Sequence, residues 1–175
     1  DFFRDGKTKQ QLLDEALAVA AQADVIIAAV GESAEMSGES SSRTNIDIPQ
    51  AQKDLLGALL KTGKPVIMVM FAGRPLTIKW ESENVPVILN VWFGGSEAGY
   101  AIADVLFGDV NPSGKLTSTF PQNIGQVPIY YAHKNTGRPL PQGKWFEKFR
   151  SNYLDVSNDP LYPFGYGLSY TQFTY

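Results

Sequence analysis

The chain has no cysteine and only one histidine, His133. Without thiols there is no disulfide framework, no cysteine nucleophile and no Cys-ligated zinc. A single imidazole likewise leaves sites that need several histidines unsupported, so no metal is expected. The charge balance of 15 Lys+Arg against 18 Asp+Glu gives a net charge of −3. That balance offers no electrostatic reason to expect nucleic acid or an anionic membrane surface as partner. Long apolar runs are missing too. The two longest, 25–30 and 65–72, fall far short of the roughly 20 residues a membrane span needs, so no membrane insertion is expected. No basic–apolar–small leader opens the sequence. Because it starts at Asp1 rather than Met, it reads as a processed protein or an excised piece, and the missing leader says nothing about export. Nor does the absence of cysteine fix the compartment.

What is present argues for a folded domain. Hydrophobic residues make up 43 % of the 175 positions, too many for a disordered chain. The length suits a single domain spanning 1–175 that buries roughly 70 % of its unfolded-chain surface.

The first half alternates helix and strand signals. In residues 10–21, Leu12, Leu13, Ala16, Leu17 and Ala20 recur at helical spacing. The run 25–30 does not alternate, which predicts a strand buried on both faces of a parallel sheet. Pro49 opens a second helix with Leu55, Leu56, Leu59 and Leu60 on one face, and Gly63 and Pro65 stop it. Residues 66–71 and 86–91 read as further strands. Residues 96–107 read as a third helix, with Ser96 as N-cap, Ala98, Ile102, Val105 and Leu106 facing inward, and Gly108 as the stop. Together these elements predict an α/β fold: a three-layer α/β/α sandwich with a mostly parallel sheet.

The second half differs. From Asn111 to Tyr166 the chain is rich in Pro, Gly, Asn and Tyr. One more strand is expected at 127–131, and 132–163 is expected to be a long irregular segment. The aromatic residues in it and just before it, among them Tyr130, Tyr131, Trp145 and Tyr153, predict that it packs on something.

In open α/β sheets, ligands bind beyond the carboxyl ends of the strands. The loop expected after the first strand, 31–48, reads GESAEMSGESSSRTNIDI, whereas such loops usually run about 2–6 residues. It carries Glu32, Glu35 and Glu39, with Arg43 as its only base. A carboxyl group held there can act as a general acid or base; the alternative is a solvated polar loop. Other chemistries fit less well. No phosphate-cradling glycine motif follows a strand, so nucleotide binding lacks its cradle. The nearest approach to the G-x-S-x-G elbow of serine hydrolases has Ala98 where the second glycine belongs, and Ser96 would need His133 as its base. His133 otherwise reads as a loop or packing residue, with substrate or interface contact as the alternative.

Three of these stretches resemble a known family. The run NVWFGGSEAGYAIADVLFGDVNPSGKL (90–116), the run LYPFGYGLSY (161–170) and Gly73-Arg74-Pro75 are similar to the second domain of family 3 glycoside hydrolases. Tyr130-Tyr131 with NTGRP (135–139) resembles the bacterial periplasmic β-glucosidase branch. The resemblance implies an α/β sandwich domain following a (β/α)₈-type barrel that carries an aspartate nucleophile; a fibronectin-type domain often comes after. No residue of this chain resembles the barrel or its nucleophile motif. The domain itself is then expected to supply the general acid/base glutamate of a retaining β-glucosidase-like hydrolase, with no cofactor.

In similar enzymes the acid/base Glu precedes an Arg by four positions, and an Ile/Leu-Pro-x-x-Gln helix start follows. Here Glu39 precedes Arg43, and Ile48-Pro49-Gln50-Ala51-Gln52 follows. The resemblance therefore designates Glu39, with Glu32 as runner-up that supports the loop or substrate. Arg43 and His133 are the candidate substrate contacts. The implied partners are a β-linked oligosaccharide or glucoside and the barrel domain, in a periplasmic or secreted setting. The isolated domain is expected to expose Glu39 on a mobile loop and to be inactive. A non-catalytic packing or carbohydrate-contacting module, working through the aromatics of the irregular segment, is the alternative.

Overall fold

The computed structural model describes residues 6–172 and 174; Asp1 lies outside them. The described residues group into two compact units, one of residues up to 74 with 80–94, the other of 75–79 with 95–175.

The first unit is built on three parallel strands, β1 (Ile26–Gly31), β2 (Val66–Phe71) and β3 (Val87–Asn90), in the order β1-β2-β3. Gly31 pairs with Phe71 and Met70 with Asn90, so all three strands end along one edge. The central strand is the core: Val66, Met68, Val69 and Met70 are buried. The non-alternating run of β1 predicted burial on both faces, and the structure corrects this. Burial in β1 alternates, leaving Ile27 50 % exposed between buried Ile26 and Ala28. Successive side chains point to opposite faces of the sheet, and here one of those faces stays uncovered at β1.

Helix α1 (Lys9–Gln22) starts on a reciprocal capping box. The Thr8 hydroxyl accepts from Gln11 N–H, and the Gln11 side chain accepts from Thr8 N–H. Of its predicted apolar face, Ala20 is buried, while Leu12 is half exposed. Helix α2 (Gln50–Leu60) begins after Pro49 and buries Leu56 and Leu59, as its spacing predicts. Lys9 of α1 and Asp54 of α2 pair at 2.5 Å. A short helix, α3 (Lys79–Asn84), was not anticipated, because six residues are too few to show a period.

The second unit carries α4 (Ala98–Phe107), which ends at Gly108 in the left-handed conformation, as expected. Its N-cap is Glu97, not Ser96, and no side chain caps it. The face of Ala98, Ile102, Val105 and Leu106 is half-buried, and no α4 residue is fully buried. Residues 127–131 form no strand; Pro128 lacks the N–H a ladder needs, so the expected strand is corrected to irregular chain. The long segment is held by side chains instead. The buried Gln126 amide accepts from Gln122 N–H and Asn123 N–H and donates to Ser157 O and Asp159 O. Two long motifs of the sequence meet here: Leu116 N–H donates to Tyr166 O, and Gly165 N–H to Leu116 O. The α/β class with its parallel sheet stands as the sequence predicts.

Candidate active site

The carboxyl edge of the sheet gathers the loops that follow β1, β2 and β3. Strand β1 does not release its pairing at Gly31, since Glu32 N–H still donates to Phe71 O at 2.8 Å. Gly31 has φ +130, and a Cβ there would sit 1.8 Å from Phe71 O; only glycine fits. This tight exit turns the next side chain inward. Glu32 is buried, with no side-chain exposure.

Two arginines and a backbone amide meet the Glu32 carboxylate. Arg43 Nη1 donates to Oε1 at 2.7 Å and Gly73 N–H to Oε2 at 3.2 Å. Arg74 Nε straddles the group, 3.1 Å from Oε1 and 3.4 Å from Oε2. Each guanidinium then reaches the loop backbone. Arg43 Nη2 donates to Asp47 O at 3.0 Å. Arg74 Nη2 donates to Met36 O at 2.8 Å and to Ser41 O at 2.9 Å. A carboxylate met by three N–H groups and with no side-chain exposure anchors a loop and presents no open oxygen to a substrate.

Glu39 is placed differently. It is exposed, at the tip between the two carbonyls that Arg74 holds, flanked by Gly38 at φ 129 and Ser40 at φ 60. Beside it opens a cavity of about 480 Å³ lined by Ser37, Ser41, Gly73, Arg74 and Phe93, among others. Gly73 is packed so closely that a Cβ there would lie 2.0 Å from Ser37 Oγ. Glu35, the third glutamate, is exposed; its own backbone amide and the Ser33 side chain hold its carboxyl below the usual range. That favours its charged form, the wrong one for an acid that must donate a proton.

The structure thus brings Glu32, Glu39 and Arg43 into one loop system. Arg74, which the sequence offered only as part of Gly73-Arg74-Pro75, joins them as the second cation on Glu32. Gln52 was also missed as a site support: it accepts from Gly31 N–H and donates to Gly31 O. Its signal was its place in the helix start after the loop.

His133 lies in the second unit, exposed, on a cavity of about 690 Å³ that Tyr130, Tyr131, Tyr153 and Phe164 also line. Ser96 is exposed and forms no hydrogen bond with His133. Among the described residues no group of three or more His, Cys, Asp or Glu could hold a metal ion, and no helix is long and apolar enough to cross a membrane.

The chain presents a parallel α/β domain with a carboxylate-bearing loop beside a cavity at its sheet edge, and comparison with known proteins gives its family. The chain belongs to glycosyl hydrolase family 3, whose C-terminal domain model matches residues 4–170. It is 56 % identical over 170 residues to the periplasmic β-glucosidase of Salmonella typhimurium, covering 97 % of this chain and 22 % of that protein. It is 45 % identical over 161 residues to a β-xylosidase of Formosa agariphila, covering 92 % of this chain and 21 % of that protein. Among solved structures, a β-glucosidase from Listeria innocua superposes with a TM-score of 0.86 at 45 % identity, over 91 % of this chain and 22 % of that one. The chain therefore spans about a fifth of the relatives it matches, and corresponds to one domain of glycoside hydrolases named β-glucosidase and β-xylosidase.

Proposed function

We propose that this chain serves as the second domain of a retaining β-glucosidase-like hydrolase and supplies its general acid/base, Glu39. The observation that carries this reading is the contrast between two glutamates of one loop. Glu32 is buried and spent on two arginines, whereas Glu39 stands exposed beside the cavity. In the complete enzyme an aspartate from the barrel attacks the anomeric carbon while Glu39 protonates the departing glycosidic oxygen. Glu39 then takes a proton from the water that releases the sugar. Such carboxyl pairs stand about 5–5.5 Å apart, so the cavity edge must face the second carboxylate. Terminal β-glycosidic bonds are the proposed substrate class; a solved Listeria innocua relative is described in complex with laminaribiose. The name of the Salmonella relative supports a periplasmic or secreted setting.

The test compares Glu39→Ala with Glu32→Ala in the hydrolase that carries this chain. Glu39→Ala is expected to lose activity that azide restores by replacing the water nucleophile, and Glu32→Ala to lose activity without azide rescue. The reverse pattern would transfer the role to Glu32.

A second reading rests on the other cavity. Its four aromatic rings stand among the amides of Asn135, Asn152 and Asn158, a mixture suited to stacking and hydrogen bonding on a sugar. The domain would then contact carbohydrate without taking part in the chemistry. Sugar binding by calorimetry that Tyr131→Ala abolishes and Glu39→Ala leaves intact would favour this module.

A further inference from the structure

No residue between Ser33 and Asn45 is buried, so no apolar anchor fixes the stretch that carries Glu39. Its position must come from polar ties. The turn itself supplies one, Ser41 N–H to Gly38 O at 3.2 Å, which shapes the tip without joining it to the sheet. Arg43 ties the outgoing limb by bridging Glu32 and Asp47 O. Among the described residues, Arg74 is the one side chain that reaches both limbs. The two hydrogens of its Nη2 go to Met36 O and Ser41 O, three residues before and two after Glu39, while Nε rests on the buried Glu32 carboxylate.

We propose that Arg74 is the positioning residue for the acid/base: fixed by Glu32, it ties the backbone on both sides of Glu39 to the end of the sheet. The proposal rests on the assignment of Glu39 as acid/base. It gives Glu32 a function without chemistry, because the carboxylate holds the guanidinium in one orientation. It also assigns Gly73 a reason for lacking a side chain, since Arg74 can only approach if the chain before it passes against Ser37. Lysine cannot substitute. A single ammonium keeps the charge but lacks the planar fork that serves a carboxylate and two carbonyls together.

An acid/base held about 1 Å out of place loses on the order of 100-fold in rate, and the loss falls on the step that needs the proton. The experiment therefore measures kcat/KM in the hydrolase that carries this chain, on an alkyl β-glucoside, whose leaving group must be protonated, and on 2,4-dinitrophenyl β-glucoside, whose leaving group need not be. Arg74→Lys is expected to lose about 100-fold on the alkyl glucoside and less than about threefold on the activated one. Added to Glu39→Ala it should cost nothing more on either. Equal losses on both substrates, or a further loss in the double variant, would overturn the proposal. Should Arg74→Lys fail to fold, as judged by thermal melting, the paired variant Glu32→Gln/Arg74→Gln removes both charges together and must show the same substrate selectivity. If Glu39→Ala shows no leaving-group dependence, the acid/base assignment fails first; if it does and the Arg74 variants do not follow it, only the positioning role fails.

Discussion

The side-chain amide of Gln52 closes on the backbone of Gly31 in both directions: Gly31 N–H donates to Oε1 at 2.7 Å, and Nε2 donates to Gly31 O at 3.0 Å. The first residue of the site loop is thereby fixed to α2, twenty-one positions further along the chain. Gly31 is buried and has left regular strand geometry, so this amide stands in for a ladder partner.

Gln52→Ala should therefore destabilise the domain by about 2 kcal/mol, because a buried donor and a buried acceptor lose their partner together. Gln52→Glu keeps the acceptor for Gly31 N–H but has no donor for Gly31 O, and should fall between the two. Urea midpoints of the three proteins check this order.

Gly73→Ala is expected to be worse than its one added methyl suggests. The new Cβ meets Ser37 Oγ at 2.0 Å and Phe93 Cε2 at 2.8 Å, so Ser37 or the chain must move, at a cost of about 1–3 kcal/mol. Gly73→Ala with Ser37→Gly removes the Ser37 part of the clash. Recovery of part of the melting temperature in the double variant is the expected result.

Glu81 gives a pH prediction. Its side chain is fully buried, neither oxygen has a hydrogen-bond partner, and Lys53 Nζ stands 3.9 Å from Oε1. Burial pushes this carboxyl above its ordinary value; its own backbone amide dipole and then Lys53 oppose the shift, and Asp47 adds to it. The native state thus holds the proton to higher pH than the unfolded chain does. Stability from this group is complete below the ordinary carboxylate value near 4.5 and is lost as pH rises through the raised native value. Glu81→Gln should flatten that fall. Chemical denaturation from pH 4.5 to 8 should show a smaller decrease in the variant than in the parent, and an unchanged slope would refute the prediction.

In the second unit, Gln126→Ala removes four hydrogen bonds that join residues 122 and 123 to 157 and 159. The expected loss is about 3 kcal/mol, at the upper end for one buried polar side chain. Proteolysis should find the 132–163 segment more readily in the variant, and equal cleavage rates would count against this role.

Much of the helical structure was legible because its elements are periodic and their limits chemical. Pro49 and Gly63 bound α2, and Gly108 ends α4 through its left-handed conformation. Residues 127–131 misled because their apolar composition suits a strand, while Pro128 has no N–H for a ladder and Val127 N–H already donates to Ile124 O. Burial of β1 misled because a run of apolar residues shows what a strand tolerates and says nothing about which of its faces other elements cover.

The sequence by itself determined the α/β class, the long acidic loop at the sheet edge and the family resemblance, since all three are written in local order and spacing. Tertiary structure decided which glutamate is spent and which is free. Glu32 and Glu39 are the same residue type, seven positions apart in one polar loop, and although the resemblance ranks Glu39 first, sequence order does not show what holds either side chain. Arg74, forty-two residues from Glu32, is what holds Glu32. It reaches the loop only because β1 and β2 pair in the register that sets Gly31 against Phe71. Hydrogen-bond partners so distant in the chain depend on strand register, and register exists only once the sheet has formed.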